Sequence, residues 1–234
     1  MSGRLEGTRI VVTGASRGLG RAVAEGVAAE GASLVVTATS PERLEATRAA
    51  VRARGGEAHP VGLDLRDRVS VAAAAAQSLS ALGRVDVLVN NASLLGERMP
   101  LETYPAETWD EVMAVNATGT LALIQALLPG IADDGAIVNV TSGAAGRAGW
   151  GAYAVSKLAL EGITGMLREE LADRRIRCVA VNPGGLRTTM RAAAYPDEDP
   201  ATVPHPSTVV EPFIAIAAGA DPGPRIDAAT WGGR

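Results

Sequence analysis

Short runs of branched apolar residues alternate with longer helix-compatible stretches along nearly the whole chain. The strand-like runs cover residues 10–13, 33–37, 58–63, 85–90, 136–141, 176–182 and a short stretch near 225–229. Between them, the sequence predicts helices at residues 19–30, 41–54, 66–82, 105–128, 152–173 and 207–218. A helix between two strands carries the chain back across the sheet, so consecutive strands can pair in parallel. The pattern therefore predicts an α/β fold, a doubly wound parallel sheet of about seven strands with helices on both faces.

Length and composition indicate a single domain over residues 1–234. Hydrophobic residues make up 47% of the chain and charged residues 21%, which is typical of a globular protein that can bury a substantial core. No linker divides the chain. The one long irregular stretch, residues 187–206, is rich in Pro, Asp, Glu and Ala and follows a predicted strand. We expect this segment to be a substrate loop.

Charge and cysteine content narrow the partners and the compartment. The net charge is −4 with no basic stripe, so no nucleic-acid partner is expected. Cys178 is the single cysteine and lies in an apolar run, which predicts a buried thiol and a reducing compartment. No cleavable signal and no stretch long and apolar enough for a membrane span is recognised, so we expect a cytoplasmic protein without a membrane partner. His59 and His205 are far apart, and no metal site is predicted.

A glycine-rich turn joins the first predicted strand to the first predicted helix. It reads Thr13-Gly-Ala-Ser-Arg-Gly-Leu-Gly20. Glycines permit a tight turn and a close approach of the backbone, and the helix N-terminus presents unpaired N–H groups to an anion. The strand–turn–helix context therefore favours a pyrophosphate-binding turn over a purely structural one.

A tyrosine and a lysine share one face of a predicted helix. Lys157 is the only lysine of the chain, and it follows Tyr153, one of three tyrosines, by four positions. Residues spaced in this way on a helix face the same side. A phenol has an ordinary pKa of about 10, and a nearby cation favours the phenolate and lowers that value. The pair is a candidate general acid/base, and the alternative is an ordinary pair on a solvated helix face.

Several motifs occur together in an order typical of one family. They are the glycine turn, Asn90-Asn91-Ala92, the internal Asn116, Ser142, Tyr153-x-x-x-Lys157 and Asn182-Pro183-Gly184. Over essentially the whole length, the chain resembles the classical short-chain dehydrogenases/reductases. The resemblance implies a Rossmann-type fold, a nicotinamide dinucleotide cofactor and a homodimer or homotetramer packed through the helices that follow strands four and five.

The resemblance also implies which residues contact the cofactor. The turn residues would line the pyrophosphate, Asp64 would meet the adenine, Asn90 and Ala92 would flank the adenosine ribose, and Pro183, Gly184 and Thr188 would lie along the nicotinamide. Asp64 and Asn90 have structural alternatives, as a turn acid and as a hydrogen-bonding residue at a strand end. The full expected cofactor set is Gly14, Ser16, Arg17, Gly18, Leu19, Gly20, Thr39, Asp64, Leu65, Asn90, Ala92, Tyr153, Lys157, Pro183, Gly184 and Thr188.

The choice of dinucleotide follows from charge. An acid about 20 residues beyond the glycines would bind the ribose 2′-hydroxyl of NAD and repel a 2′-phosphate. Residues 37–40 read Thr-Ala-Thr-Ser, without an acid, and Arg17 lies inside the glycine turn, where NADP-preferring relatives often carry a cation. Arg43 is a second candidate phosphate partner, although its position suits an exposed helix face. NADP(H) is therefore expected in preference to NAD(H).

The catalytic set implied by the resemblance is Asn116, Ser142, Tyr153 and Lys157. Tyr153 would exchange a proton with the substrate oxygen, Ser142 would hydrogen-bond that oxygen, Lys157 would hold the nicotinamide ribose, and Asn116 would hold a water linking Lys157 to solvent. Two departures from the family affect this end of the site. Ser93 replaces a usual glycine, and the spacing from Ser142 to Tyr153 is shorter than usual, which leaves Thr141 as an alternative to Ser142.

These observations predict an NADP(H)-dependent oxidoreductase that interconverts a carbonyl and an alcohol, most simply a reductase of an apolar ketone or aldehyde. One alternative is a catalytically silent NADP(H)-binding sensor or scaffold. Another, within the class, is a 3-oxoacyl-carrier-protein reductase, for which Arg98, Arg147 and Arg191 are candidate contacts to the acidic carrier. The residues expected to wall the substrate are Leu94, Leu95, Trp150, Gly185, Leu186, Met190 and Tyr195.

Overall fold

All strand pairings in the sheet are parallel. The structure is a computed structural model and describes residues 3–232. Within that range, seven strands form one sheet in the order β3-β2-β1-β4-β5-β6-β7. They are β1 Arg9–Val12, β2 Ser33–Ala38, β3 Ala58–Gly62, β4 Val85–Asn90, β5 Ile131–Val140, β6 Arg177–Asn182 and β7 Arg225–Asp227. The predicted doubly wound parallel fold is confirmed.

Helices cover both faces of this sheet. They are α1 Gly18–Ala29, α2 Glu45–Arg52, α3 Arg68–Leu82, α4 Ala106–Met113, α5 Thr120–Leu127, α6 Gly151–Glu170, α7 Thr189–Ala194 and α8 Glu211–Ala217. Helix α3 begins later than predicted because the Asp67 side chain accepts a hydrogen bond from the Val69 N–H and caps the helix there.

Alternate residues of each central strand enter different hydrophobic cores. In β1, Ile10 and Val12 belong to the core beneath α1 and α8, whereas Val11 belongs to the core beneath α3 and α5. Successive side chains of a strand point to opposite faces, and here both faces are covered. This explains why the strands appear in the sequence as continuous apolar runs.

Strand β5 begins five residues earlier than predicted. Its first part contains Asp133, Asp134 and Gly135, which in sequence resemble a turn, and Asp134 has a φ of 61°. Ile131 nevertheless pairs with Val85, and the register then shifts before regular pairing resumes. The irregularity accommodates turn-forming residues inside a paired strand, which residue propensity alone does not reveal.

The long helix predicted at residues 105–128 is interrupted at its centre. Between α4 and α5, residues Ala114–Gly119 form a π-helical turn. By length and composition, the helical stretch Ala106–Gly130 is long and apolar enough to cross a membrane. The prediction that the chain contains no segment of that length and apolarity was therefore wrong. More than half of its most apolar window is buried inside the fold, as in the core helix of a soluble protein, so length and composition are weak evidence for a span.

Segment 187–206 is more regular than its composition suggested. Helix α7 lies in the first half of the segment, and its N-cap is Thr188, whose side chain accepts a hydrogen bond from the Arg191 N–H. A short 3₁₀ turn follows at Pro200–Thr202. The segment leaves the carboxyl end of β6, so it begins at the edge of the sheet where ligands bind in open α/β folds.

Two glycines provide a matched test of this packing. A Cβ at Gly119 would lie 2.0 Å from the Leu65 carbonyl oxygen, whereas a Cβ at Gly162, on exposed α6 surface, would meet nothing within 4 Å. We expect Gly119→Ala to lower the free energy of unfolding by about 2 kcal/mol, because backbone must move to admit the methyl group. We expect Gly162→Ala to raise it by about 0.5–1 kcal/mol. Urea unfolding of both variants checks this, and equal effects would contradict the described helix–loop contact.

Candidate active site

The site lies at the point where the loops that follow β1 and β4 leave the sheet. The Thr13 hydroxyl accepts hydrogen bonds from the N–H groups of Asn91 (2.9 Å) and Ala92 (3.0 Å). The Asn91 side-chain amide donates to the carbonyls of Thr13 (2.9 Å) and Gly14 (3.1 Å). These bonds hold the two loops at the topological switch point of the sheet, where a crevice is expected. A cavity of about 560 Å³ opens there.

The glycine turn forms one wall of this cavity, and its shape suits a dinucleotide pyrophosphate. Gly14 has a φ of +63°, and a Cβ there would lie 2.7 Å from the Ala92 Cα atom. Helix α1 starts at Gly18, and its N-cap residue Arg17 makes no side-chain capping bond. The N–H groups of the first turn are therefore not capped by a side chain and would offer an anion the positive end of the helix dipole.

Most of the expected cofactor residues line this one cavity, and two do not. Those in its wall are Gly14, Ser16, Arg17, Gly18, Leu19, Thr39, Asp64, Leu65, Ala92, Tyr153, Lys157, Pro183, Gly184 and Thr188. Gly20 lies behind the turn, where a Cβ would be 2.5 Å from the Gly14 carbonyl oxygen. Asn90 is buried and donates to the Asn139 Oδ1 atom at 2.8 Å, which is the structural alternative considered for it. Its neighbour Asn91 reaches the cavity instead.

At the end of the cavity where the adenine is expected, the charged side chains have partners that the sequence did not predict. The Asp64 carboxylate receives two hydrogen bonds from the Arg66 guanidinium, which holds the pKa of that carboxyl below its usual range. This is the turn-acid arrangement, although Asp64 still lines the cavity. Arg43 also lines the cavity, rather than lying on a remote helix face, and donates to the Thr39 hydroxyl at 3.0 Å. No acidic residue follows β2 at this position.

Helix α6 brings Tyr153 and Lys157 to the opposite end of the same cavity. Lys157 is 2% exposed, and its Nζ atom donates to the Val140 carbonyl at 2.8 Å. The same atom lies 5.7 Å from the centroid of the Tyr153 ring. Burial lowers the pKa of Lys157 to about 8. The ammonium therefore contacts the ring and the strand.

The tyrosine hydroxyl does not have the lowered pKa that the Tyr–Lys pair suggested. Burial raises the pKa of Tyr153 above its ordinary value, and the hydrogen bond with the Ser142 side chain opposes this increase. In this geometry a neutral phenol is favoured, and a neutral phenol can donate a proton to an oxygen that gains negative charge.

Ser142, and not Thr141, is the hydroxyl presented to Tyr153. Ser142 lines the cavity, accepts a hydrogen bond from the Ala144 N–H at 3.1 Å and lies close enough to Tyr153 to lower the pKa of its phenol. The Thr141 hydroxyl instead donates to the Glu161 carboxylate at 2.7 Å. The short loop between Ser142 and Tyr153 closes through a bond from the Gly146 N–H to the Ala154 carbonyl. The reduced spacing therefore keeps the serine and tyrosine in contact.

Asn116 lies outside the cavity wall, within the π-helical turn. Its Oδ1 atom accepts from the Leu94 N–H, and its Nδ2 atom donates to the Leu94 carbonyl, both at 2.8 Å. The same Nδ2 atom lies 3.0 Å from the Ser156 hydroxyl, which donates to the Tyr153 carbonyl at 2.8 Å. Both ends of the carboxamide are paired, so it positions α6 and the loop after β4. Sequence reasoning missed Ser156, although a small polar residue inside an apolar helix face was a visible signal.

The Ser93 hydroxyl, which replaces the family glycine, is an anomaly in the wall of the cavity. Its Oγ atom is buried and has no hydrogen-bond partner within residues 3–232. The same is true of the Thr37 hydroxyl at the end of β2. Buried hydroxyls without partners are costly, and such groups concentrate at functional sites.

The expected substrate wall is brought together at the Tyr153 end. All seven residues line the cavity, and the Trp150 ring centroid lies 6.0 Å from that of Tyr153. Ala144, Ala194 and Met190 pack around these rings. The surface next to the Ser142 and Tyr153 hydroxyls is therefore mainly apolar.

Other reactive groups lie away from this cavity. Cys178 is buried in β6, and burial raises the pKa of its thiol to about 12, so it has the features of a structural thiol. Across the described part of the chain, no group of three or more His, Cys, Asp or Glu side chains is arranged to hold a metal ion.

The buried Lys157 ammonium predicts a pH-dependent stability difference. The unfolded chain protonates this amine with a pKa of 10.5 and the folded protein with a pKa of about 8, so between these values the unfolded state binds more protons. The penalty of burying the charge is complete below pH 8 and is relieved as the pH rises towards 10.5. We expect Lys157→Met to be the more stable protein at pH 7, by about 3 kcal/mol at most, with an advantage that shrinks by pH 10.

Urea unfolding of both proteins at several pH values between 7 and 10 measures this difference. The effect of Cys178 on alkaline stability is common to both proteins and cancels in the comparison. Tyr153 contacts Lys157, so its own titration is removed by making Tyr153→Phe in both proteins. An advantage of the methionine variant that stayed constant with pH would show that Lys157 is not desolvated as described.

Known proteins resemble this chain along most of its length. The short chain dehydrogenase family matches residues 8–199. The Escherichia coli K12 protein named uncharacterized oxidoreductase YciK is 36% identical over 214 residues, covering 88% of this chain and 84% of the relative. The 3-oxoacyl-[acyl-carrier-protein] reductase FabG of Aquifex aeolicus is 36% identical over 194 residues, covering 81% and 78%.

A solved structure extends the similarity to three dimensions. A short chain dehydrogenase of Shigella flexneri 2a, solved in complex with NADP, superposes with a TM-score of 0.91 at 33% identity, covering 98% of this chain and 100% of the other. The sheet order and the helices on both faces described above agree with this similarity. The chain belongs to the short chain dehydrogenase family of oxidoreductases.

Proposed function

We propose that the protein is an NADP(H)-dependent reductase of apolar ketones or aldehydes, formed by residues 1–234 as one domain with segment 187–206 over the substrate. The observation that carries this proposal is the single cavity that has the glycine turn at one end and Ser142, Tyr153 and Lys157 at the other. A dinucleotide bound along it would span both ends. Its nicotinamide would then lie beside hydroxyls that can bind a carbonyl oxygen.

The residues of the chain divide the chemistry between them. When bound, the nicotinamide supplies hydride to the carbonyl carbon in the direction of reduction. Ser142 donates a hydrogen bond to the carbonyl oxygen and stabilises its developing charge. Tyr153 gives its proton to that oxygen, and the nearby Lys157 ammonium stabilises the phenolate that remains. Asn116 positions this helix, and a water that links Lys157 to solvent would bind beside the Asn116 carboxamide, whose polar atoms are already paired.

Preference for NADP(H) is supported by the cations at the adenosine end. Arg17 and Arg43 both line the cavity, and Arg43 is anchored on the Thr39 hydroxyl. Two guanidinium groups suit a 2′-phosphate, and residues 37–40 at the end of β2 include no acid that would repel it. The Shigella flexneri relative solved with NADP agrees with this assignment. The remaining cofactor contacts that we propose are Asp64, Leu65, Ala92, Pro183, Gly184 and Thr188, with Asn90 as a supporting residue behind the wall.

A 3-oxoacyl-carrier-protein reductase is the second candidate, because the Aquifex aeolicus relative carries that name. The proposed carrier contacts are only partly free for this role. Arg191 pairs with the Glu198 carboxylate at 2.6 Å, and Arg98 stacks on aromatic rings, whereas Arg147 lines the cavity mouth. A 3-oxoacyl thioester is accordingly one of the substrates to be tested.

Assembly and location complete the proposal. We propose a homodimer or homotetramer that packs through α4, α5 and α6, with a cytoplasmic location. Leu158 and Met166 on α6 support such packing, since they are 52% and 64% exposed in the single chain.

Tyr153→Phe tests the catalytic assignment. We expect the variant to lose at least about 100-fold in kcat over a panel of ketones, aldehydes, quinones and 3-oxoacyl thioesters, because the proton donor is gone, while NADPH still binds. Tyr104→Phe is the matched control: it removes a phenol outside the cavity, together with the hydrogen bond that its hydroxyl accepts from the Glu97 N–H, and it should retain most of the kcat. Tight NADPH binding by the wild-type protein without turnover of any substrate would favour the silent sensor or scaffold.

Arg17→Ala and Arg43→Ala test the choice of cofactor. Each should weaken NADPH binding about tenfold and leave NADH binding nearly unchanged, because each removes a charge-assisted bond to the 2′-phosphate. Arg52→Ala is the control, as an exposed cation of α2 outside the cavity. Fluorescence titration gives the Kd values, and similar wild-type values for NADPH and NADH would refute the preference.

A further inference from the structure

Segment 187–206 is braced mainly by its own residues. The Arg187 N–H donates to the Pro204 carbonyl at 2.8 Å, which joins the two ends of the segment. Arg191 and Glu198 form a pair of hydrogen bonds, each 2.6 Å long. The segment therefore behaves as a small unit, and its position over the cavity depends on the contacts that it makes with the rest of the protein.

One hydrogen bond provides the polar part of that attachment. Among residues 3–232, a single hydrogen bond joins segment 187–206 to a residue distant in sequence: Arg98 Nη1 donates to the Ala194 carbonyl. Arg98 belongs to the loop that follows β4. The other contacts around Ala194 are apolar, with Trp150 and Ala144.

The Arg98 guanidinium also contacts two aromatic rings. Its Cζ atom lies 4.4 Å from the centroid of Trp150 and 4.5 Å from that of Tyr195. The two ring centroids are 5.9 Å apart, and Trp150 in turn contacts Tyr153. Arg98 makes no ion pair with an acidic residue of the described range, so these rings are its principal partners. Trp150 is the N-cap residue of α6 and Tyr195 belongs to segment 187–206, so Arg98 links the helix to the segment.

We propose that Arg98 is a positioning residue that sets the substrate pocket, because it holds segment 187–206 closed against Trp150 beside the catalytic tyrosine. The clamp consists of Arg98, Trp150 and Tyr195, and this specificity role rests on the reductase function proposed above. The planar guanidinium can stack on the rings while one of its N–H groups bonds to Ala194. A lysine ammonium carries the same charge but cannot stack in this way.

The first test measures closure without relying on activity. Trypsin treatment of the full-length protein, followed by mass spectrometry, gives the rate of cleavage after Arg187 and Arg191. Arg98→Gln should accelerate cleavage at these two sites about tenfold, the size expected when an exposed guanidinium loses two cation–π contacts. Arg147→Gln, which removes a cavity-lining cation without such contacts, should leave the rates unchanged. Unchanged cleavage in Arg98→Gln would overturn the proposal.

The second test separates positioning from general destabilisation. With an apolar carbonyl substrate identified from the panel, Arg98→Gln should raise KM about tenfold, change kcat much less and leave the Kd of NADPH unaltered. Because the clamp depends on stacking, Arg98→Lys should resemble the glutamine variant in its KM. A full rescue of KM by lysine would overturn the proposal in favour of a simple charge effect.

Coupling to the aromatic partner completes the design. Tyr195→Leu should also raise KM, and by more than Arg98→Gln, because the Tyr195 ring also contacts the Arg191 guanidinium at 3.8 Å. Adding Arg98→Gln to Tyr195→Leu should then change KM little, since the clamp is already open. Strictly additive effects would contradict the clamp. If the wild-type protein turns over no substrate, the proposed function fails, whereas the proteolysis experiment still decides whether Arg98 closes the segment.

Discussion

The geometry at the Tyr153 end of the cavity depends on the hydrogen bonds of the Asn116 carboxamide. This carboxamide binds both polar groups of the Leu94 backbone and reaches Ser156 on α6. Three elements that are far apart in sequence are thereby held together at Asn116, which is 1% exposed. The helix that carries Asn116 forms a π-turn there, and such local irregularities are frequent at functional sites. Once Ser156 is placed, Tyr153 and Lys157 follow, because they lie on the same helix.

A second constraint is the burial of Lys157. An amine in a closed apolar setting costs stability, and the fold accepts this cost at the one position where the chain uses lysine. Its hydrogen bond to the Val140 carbonyl fixes the ammonium beneath the Tyr153 ring. The site thus combines a phenol with a raised pKa, a buried cation and a mainly apolar wall. These features support the proposed reduction of a carbonyl whose oxygen acquires charge.

Sequence reasoning succeeded where a pattern is local and failed where contacts between distant residues decide. The parallel sheet followed from apolar runs buried on both faces, and the glycine turn followed from its strand–turn–helix context. The early start of β5 was not predicted, because Asp134 and Gly135 form a bulge that only pairing with β4 explains. Helix α7 was not predicted either, since the ion pair between Arg191 and Glu198 orders a stretch that is rich in Pro, Asp and Glu. The direction of the Tyr153 pKa shift was misjudged because burial, which spacing cannot report, raises the pKa by more than the interaction with Ser142 lowers it.

The sequence by itself determined the fold class, the dinucleotide turn and the pairing of Tyr153 with Lys157 on one helix face. These features depend on periodicity and on residues close together in the chain, so short-range geometry is sufficient to predict them. Only the tertiary structure decided that Ser142 and not Thr141 meets the tyrosine, that Asn90 supports the wall while Asn91 lines it, and that Arg98 joins Trp150 to Tyr195. Each of these outcomes depends on which side chains meet across elements far apart in the chain, and the packing of the whole domain sets those distances.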